Sequence, residues 1–178
     1  MTQASRRVHT VGHSTRPIEV FIELLKSFEI THLVDVRTIP RSRRNPQFNK
    51  ESLPEPLGAV SIAYTHIPGL GGLRKPLPDS VNTAWRNKSF RGYADYMGTP
   101  AFDENLQRLI ELIDTEAAVA IMCAEALPWR CHRSLIADAL LVRGFQVTDI
   151  FDAGKSQPHS LTTFAKVDGE RVTYPGES

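Results

Sequence analysis

The run Ala117-Ala118-Val119-Ala120-Ile121-Met122-Cys123 is continuously apolar and bounded by polar residues. A strand with one wet face alternates apolar and polar side chains. A strand covered on both faces has no reason to, so this run reads as an inner strand of a parallel sheet flanked by helices. After it, Pro128 opens a helix with Leu135, Ile136, Ala139 and Leu140 inward and Gly144 as its stop. Gln146-Val147-Thr148-Asp149-Ile150 reads as the next strand. Before it, Thr99-Pro100 opens a helix whose Phe102, Leu106, Leu109, Ile110 and Ile113 share a face.

The same alternation extends upstream. Val8-His9-Thr10-Val11-Gly12 is strand-like. Ser14 or Thr15 caps a helix with Pro17 in its first turn and an apolar stripe of Val20, Phe21, Leu24, Leu25 and Phe28. Thr31 to Val36 and the alternating Ser61 to Ile67 read as further strands, with a short helix near Lys50–Leu57 between them. Residues 73–92 carry few periodic signals and read as a long loop before a short helix from Tyr93 to Met97. In the tail, two strand-like runs flank Asp168-Gly169, a hairpin signal. The expectation is an α/β fold: a Rossmann-like parallel sheet of about five strands flanked by helices, with a C-terminal β-hairpin. Residues 1–155 would form the single α/β domain and 156–178 a hairpin appendage.

The chain has 178 residues, 41% hydrophobic and 23% charged, which excludes disorder as its dominant state. No apolar run is long enough to span a bilayer, and the polar start lacks a signal peptide's apolar stretch, so a cytoplasmic protein is expected. Two cysteines cannot build a disulfide framework and are expected to be free thiols. The net charge is +1, unevenly spread. Val36 to Lys50 holds Arg37, Arg41, Arg43, Arg44 and Lys50 with no acid, leaving 16 basic against 20 acidic residues elsewhere. Such a loop is either a solvated surface or a dock for an anion.

In an open parallel sheet, ligands bind beyond the carboxyl ends of the strands. There the sequence delivers His13 and Ser14, then Asp35 and Arg37, His66, then Cys123 and Glu125, and finally Asp149 and Asp152. If strand geometry persists, Cys123 and Glu125 point the same way. Cys131 stands near a helix start, where backbone amides and the helix dipole favour a thiolate. The candidate catalytic residues are therefore Cys131, Cys123, Glu125 and His13. Candidate anion-binding residues are Ser14, Asp35, Arg37, Arg41, Arg44, Gly71, Gly72, Arg130, His132 and Arg133. Each has a plainer alternative: a buried cysteine is often a small hydrophobe, and Asp35–Arg37 is equally a structural ion pair. Gly69-Leu70-Gly71-Gly72 lacks the ending of a phosphate loop, and no spacing implies a metal or other cofactor. Six residues separate Cys123 from Arg130, not the five of the cysteine-phosphatase loop.

Taken in order, Val11-Gly12-His13-Ser14, Val34-Asp35-Val36-Arg37, the loop Pro40 to Phe48, Leu70-Gly71-Gly72, Phe90 to Met97, and Met122-Cys123-Ala124-Glu125 through Cys131-His132-Arg133 resemble the domain of unknown function 488 family of bacterial proteins. The tail elements His159 and Tyr174-Pro175 are similar too. The resemblance implies a compact α/β domain and singles out these same positions, but carries no activity with it. Three functions fit: thiol-dependent chemistry on a small anionic molecule or nucleotide, a nucleic-acid-binding module using the loop Arg37–Lys50 with Phe48 as a stacking ring, or a non-enzymatic partner-binding protein. None involves a membrane, and the sequence does not fix an oligomeric state.

Overall fold

A computed structural model describes residues 6–176. The main sheet contains β1 (Arg7–Gly12), β2 (His32–Asp35), β3 (Ala63–His66), β4 (Val119–Cys123), β5 (Gln146–Asp152) and β6 (Lys155–Pro158), in the order β3-β2-β4-β1-β5-β6. The first five pair in parallel and β6 adds antiparallel to β5. The α/β class and the C-terminal hairpin agree with the sequence pattern. The hairpin is β7 (Lys166–Asp168) with β8 (Arg171–Thr173). The sixth sheet strand was not expected: all four of its residues are exposed, so it lacks an apolar signature. Residues 155–158 thus extend the main sheet.

β4 is buried along its whole length, as its continuous apolar run requires. It lies between β1 and β2, whereas the dinucleotide-binding order keeps those two strands adjacent. The chain leaves β1 toward β2 through α1 (Ile18–Ser27) and leaves β4 in the opposite direction toward β5 through α5 (Arg133–Val142). Right-handed crossovers running in opposite directions put their helices on opposite faces. Accordingly Phe21, Leu24 and Leu25 of α1 pack with Leu33, Ala120 and Met122 on one face. On the other, Leu135, Ile136, Ala139 and Leu140 of α5 pack with Val34, Val119 and Ile121. The carboxyl ends of β1 and β4 are neighbours whose connections diverge, which opens a crevice between them.

α4 (Pro100–Thr115) follows expectation: the Thr99 hydroxyl accepts from Phe102 N at 3.3 Å and the five predicted apolar residues are buried. α1 does not start as expected. Ser14 and Thr15 leave the cap, Pro17 takes it without a side-chain hydrogen bond, and Val20 is exposed. α2 (Pro54–Gly58) is shorter than the helix predicted near Lys50–Leu57. α3 (Lys88–Tyr96) begins inside the segment read as loop, because the Asn87 side chain accepts from Ser89 N at 2.8 Å and caps it.

The tail is held by a buried polar network. His159 Nε2 lies 2.9 Å from Asp138 Oδ1 and its Nδ1 2.9 Å from Asp149 Oδ2. Tyr174 and Thr162 hydroxyls donate to Asp138 Oδ2 at 2.8 and 2.6 Å, and Thr10 donates to Asp149 Oδ1 at 2.6 Å. Both ring nitrogens face carboxylates, so both carry protons. Burial alone would lower this histidine's pKa; the two carboxylates more than reverse that and hold it at about 9.

Candidate functional site

The carboxyl ends of β1, β2 and β4 open into one cavity of about 1000 Å³. His13 and Ser14 enter it after β1, and Arg37, Arg41 and Arg44 after β2. Cys123, Glu125, Arg130, Cys131 and His132 enter after β4, and Gly72 completes the wall. Asp35, Gly71 and Arg133 are not part of this lining. Two strand ends do not join it. His66 donates from Nε2 to the Arg37 carbonyl at 2.7 Å, and Asp149 is committed to the tail network.

Gly12 makes the crevice closable. A Cβ built there would lie 1.6 Å from the Glu125 carbonyl oxygen, so only glycine lets the chain after β4 cross the end of β1. That crossing is fixed by His13 N to Cys123 O and Ser14 N to Ala124 O, both at 2.9 Å. Strand geometry ends at Cys123, so the expected pairing of directions with Glu125 fails: Cys123 is buried and Glu125 is exposed. Pro128–Arg130 forms a single 3-10 turn, and Cys131 follows it in extended conformation, ahead of α5 rather than within it.

The two sulfurs have different neighbours. Cys131 Sγ lies 3.4 Å from His132 Nδ1, while His132 Nε2 lies 2.8 Å from the Val36 carbonyl. A carbonyl only accepts, so the ring proton is on Nε2 and Nδ1 accepts from the Cys131 thiol. Burial, with the Arg133 and Arg74 charges, lowers the His132 pKa to about 4, which keeps Nδ1 free of a proton at neutral pH. Gly72 packs against that ring so closely that a Cβ would lie 2.6 Å from Nδ1. Burial and the neighbouring Cys123 push the Cys131 thiol well up, against the expectation drawn from the helix dipole. For Cys123, burial also acts upward, but the Cys131 thiol, the Arg133 guanidinium and the Glu125 backbone outweigh it, and the net shift is downward.

Arg133 is fully buried. Its Nη2 donates to the Ala126 carbonyl at 3.0 Å, and among the described residues no acid pairs with it. Its Nε and Nη1 have no hydrogen-bond partner. An uncompensated buried guanidinium is costly, and its charge favours the ionised form of both Cys123 and Cys131.

Asp35 and Arg37 form a two-pronged ion pair, at 2.9 Å to Nε and 2.7 Å to Nη2. The Phe48 carbonyl and the Tyr64 hydroxyl add further bonds to the pair. It orders the start of the basic loop and leaves Arg37 Nη1 directed at His13 Nε2, 3.3 Å away. His13 Nδ1 donates to the Ser14 carbonyl at 2.8 Å, an arrangement set by Ser14's left-handed backbone, φ 53°. Burial chiefly, and the Arg37 charge next, lower the His13 pKa to about 4. Phe48 stacks on His13 at 4.3 Å and is fully buried, so it is no stacking ring for an external base.

Arg41 is paired with Glu51 at 2.7 Å. Among the described residues Arg44 and Arg130 make no ion pair and lie at the cavity mouth with Glu125. The rim also holds Ile39, Leu73 and Trp129, 61%, 70% and 57% exposed. Sequence reasoning passed over Arg16, which donates to the Gly12 and Phe151 carbonyls and ties the ends of β1 and β5. Its only signal was a cation just after a strand end. Among the described residues no group of three His, Cys, Asp or Glu is placed to hold a metal ion, and no helix is long and apolar enough to cross a membrane.

The architecture is that of an α/β protein with two cysteines, two neutral histidines and a ring of arginines at the carboxyl edge of a mostly parallel sheet. The chain belongs to the family described as Domain of unknown function DUF488, which matches residues 17–140. No curated protein and no solved structure matches it.

Proposed function

We propose that the cavity is a thiol-dependent site acting on a small anionic molecule, with Cys123 as its nucleophile. The observation that carries this is Arg133: a buried guanidinium with two unpartnered nitrogens and, among the described residues, no acid partner, whose charge lowers the Cys123 thiol. Ionised Cys123 supplies the missing negative charge, and a thiolate is the nucleophilic form of cysteine. Arg44 and Arg130 hold the anion at the mouth, while Arg37, fixed by Asp35, lies deeper in the wall. His13 and His132 stay neutral at pH 7, so they add hydrogen-bonding capacity without charge.

A nucleic-acid module is less well supported. Of the five loop cations, Arg37 is buried, Arg41 is paired and Lys50 Nζ lies 3.5 Å from His66. Arg43, Arg44 and the neighbouring Arg130 remain, which suits a compact anion better than a polymer backbone.

Alkylation tests the proposal. Iodoacetate should modify Cys123 before Cys131, with a rate that titrates below the roughly 8.5 of a free thiol. The carboxylate reagent should outpace neutral iodoacetamide relative to their rates on free cysteine, and phosphate should slow it. Reaction only after unfolding, or at equal relative rates for both reagents, would refute it.

A further inference from the structure

We propose that Cys123 and Cys131 form a redox couple that reduces a small anionic disulfide entering the cavity, with Cys123 attacking it and Cys131 resolving the adduct. This rests on the assignment of Cys123 as the nucleophile. They are the only two cysteines in the chain, both line the same cavity, and each shifts the other's ionisation. The Pro128–Arg130 turn lies in the short loop that joins them. Their surroundings differ in the way two successive steps require. The Arg133 charge acts on both thiols, but only Cys123 is shifted downward on balance. Cys131 keeps its proton but has an acceptor at 3.4 Å, His132 Nδ1, whose ring is locked by Val36 and Gly72. A single-nucleophile site has no use for that second thiol and its acceptor.

The steps balance. The Cys123 thiolate attacks one sulfur of R–S–S–R. Its S–S bond breaks, a mixed disulfide forms, and R–S⁻ leaves and takes a proton from water. Cys131 then passes its proton to His132 Nδ1 as its sulfur attacks Cys123 Sγ. The second R–S⁻ departs and takes that proton. Two protein thiols become one disulfide, and one R–S–S–R becomes two R–SH. Oxidation removes the thiolate that Arg133 favours, so the forward reaction runs with the substrate disulfide in excess, and the protein disulfide is easily reduced again rather than a lasting staple.

The test is intact-mass analysis of the full chain incubated without air with glutathione disulfide, an anionic probe. The wild-type protein should lose two hydrogens and retain no glutathione. Cys131→Ser should hold one glutathione at Cys123, Cys123→Ser should take up none, and dithiothreitol should restore the starting masses. Cys131→Ala serves as a second variant should the serine disturb folding, which circular dichroism reads. If the wild type accumulates the same stable adduct as Cys131→Ser, Cys131 does not resolve it and the couple is refuted, while Cys123 stands as nucleophile. If no form reacts, both proposals fall.

Discussion

Raising the pH should release the C-terminal tail from the sheet. His159 bridges Asp138 and Asp149 with both ring nitrogens protonated, and its pKa is about 9 against an ordinary 6.5. A folded-state pKa above the unfolded one gives stability that is complete below pH 6.5 and fades as the pH passes 9. That gap corresponds to about 3 kcal/mol. In a chain of this length it lowers Tm by roughly 6–12 °C. The mechanism is geometric: a neutral imidazole has one N–H, so above pH 9 one buried carboxylate loses its histidine donor and both lose the cation. Tyr174, whose pKa burial and then Asp138 push far up, stays neutral and does not contribute. The assay is urea unfolding at about pH 6, 8 and 10 on wild type and His159→Gln. The variant should start roughly 3–5 kcal/mol lower, because it leaves two buried carboxylates without their cation. It should also lack the wild type's additional fall at high pH. Parallel curves for the two proteins would refute the reasoning.

Three further outcomes are expected. Gly12→Ala should destabilise by about 1–3 kcal/mol and slow Cys123 alkylation, since its Cβ displaces the chain at Glu125; Tm and iodoacetate kinetics read both. Arg133→Met should raise the Cys123 pKa and cut alkylation at pH 7 by about tenfold or more, with little loss of stability because the methionine replaces an uncompensated charge; a pH–rate profile checks it. Trp129→Ala should change stability by less than about 0.5 kcal/mol, since the ring is exposed, yet abolish any fluorescence change on adding an aryl phosphate; a signal surviving in the variant would place the ligand elsewhere.

Much of this protein could be read from residue order. The unbroken apolar run ending at Cys123 specified a strand covered on both faces, and the alternating strand and helix patterns around it specified a parallel α/β sheet, because periodicity is a local property of burial. The candidate residues around His13, Arg37 and Cys123 through His132 were legible for the same reason: they follow strand ends, and the fold class puts strand ends together. Strand order was not legible. That β4 lies between β1 and β2 depends on crossovers between distant segments, and it selects three strand ends for the cavity while sending Asp149 to the tail and His66 to the backbone of Arg37. Nor could sequence say which thiol is the more acidic. The helix dipole, a local argument, pointed to Cys131; burial raises both thiols, and the Cys131 side chain, followed by the Arg133 charge, lowers Cys123 while Cys123 raises Cys131, which reverses the order. Ionisation is set by through-space neighbours and exclusion of water, and those exist only once the chain has packed.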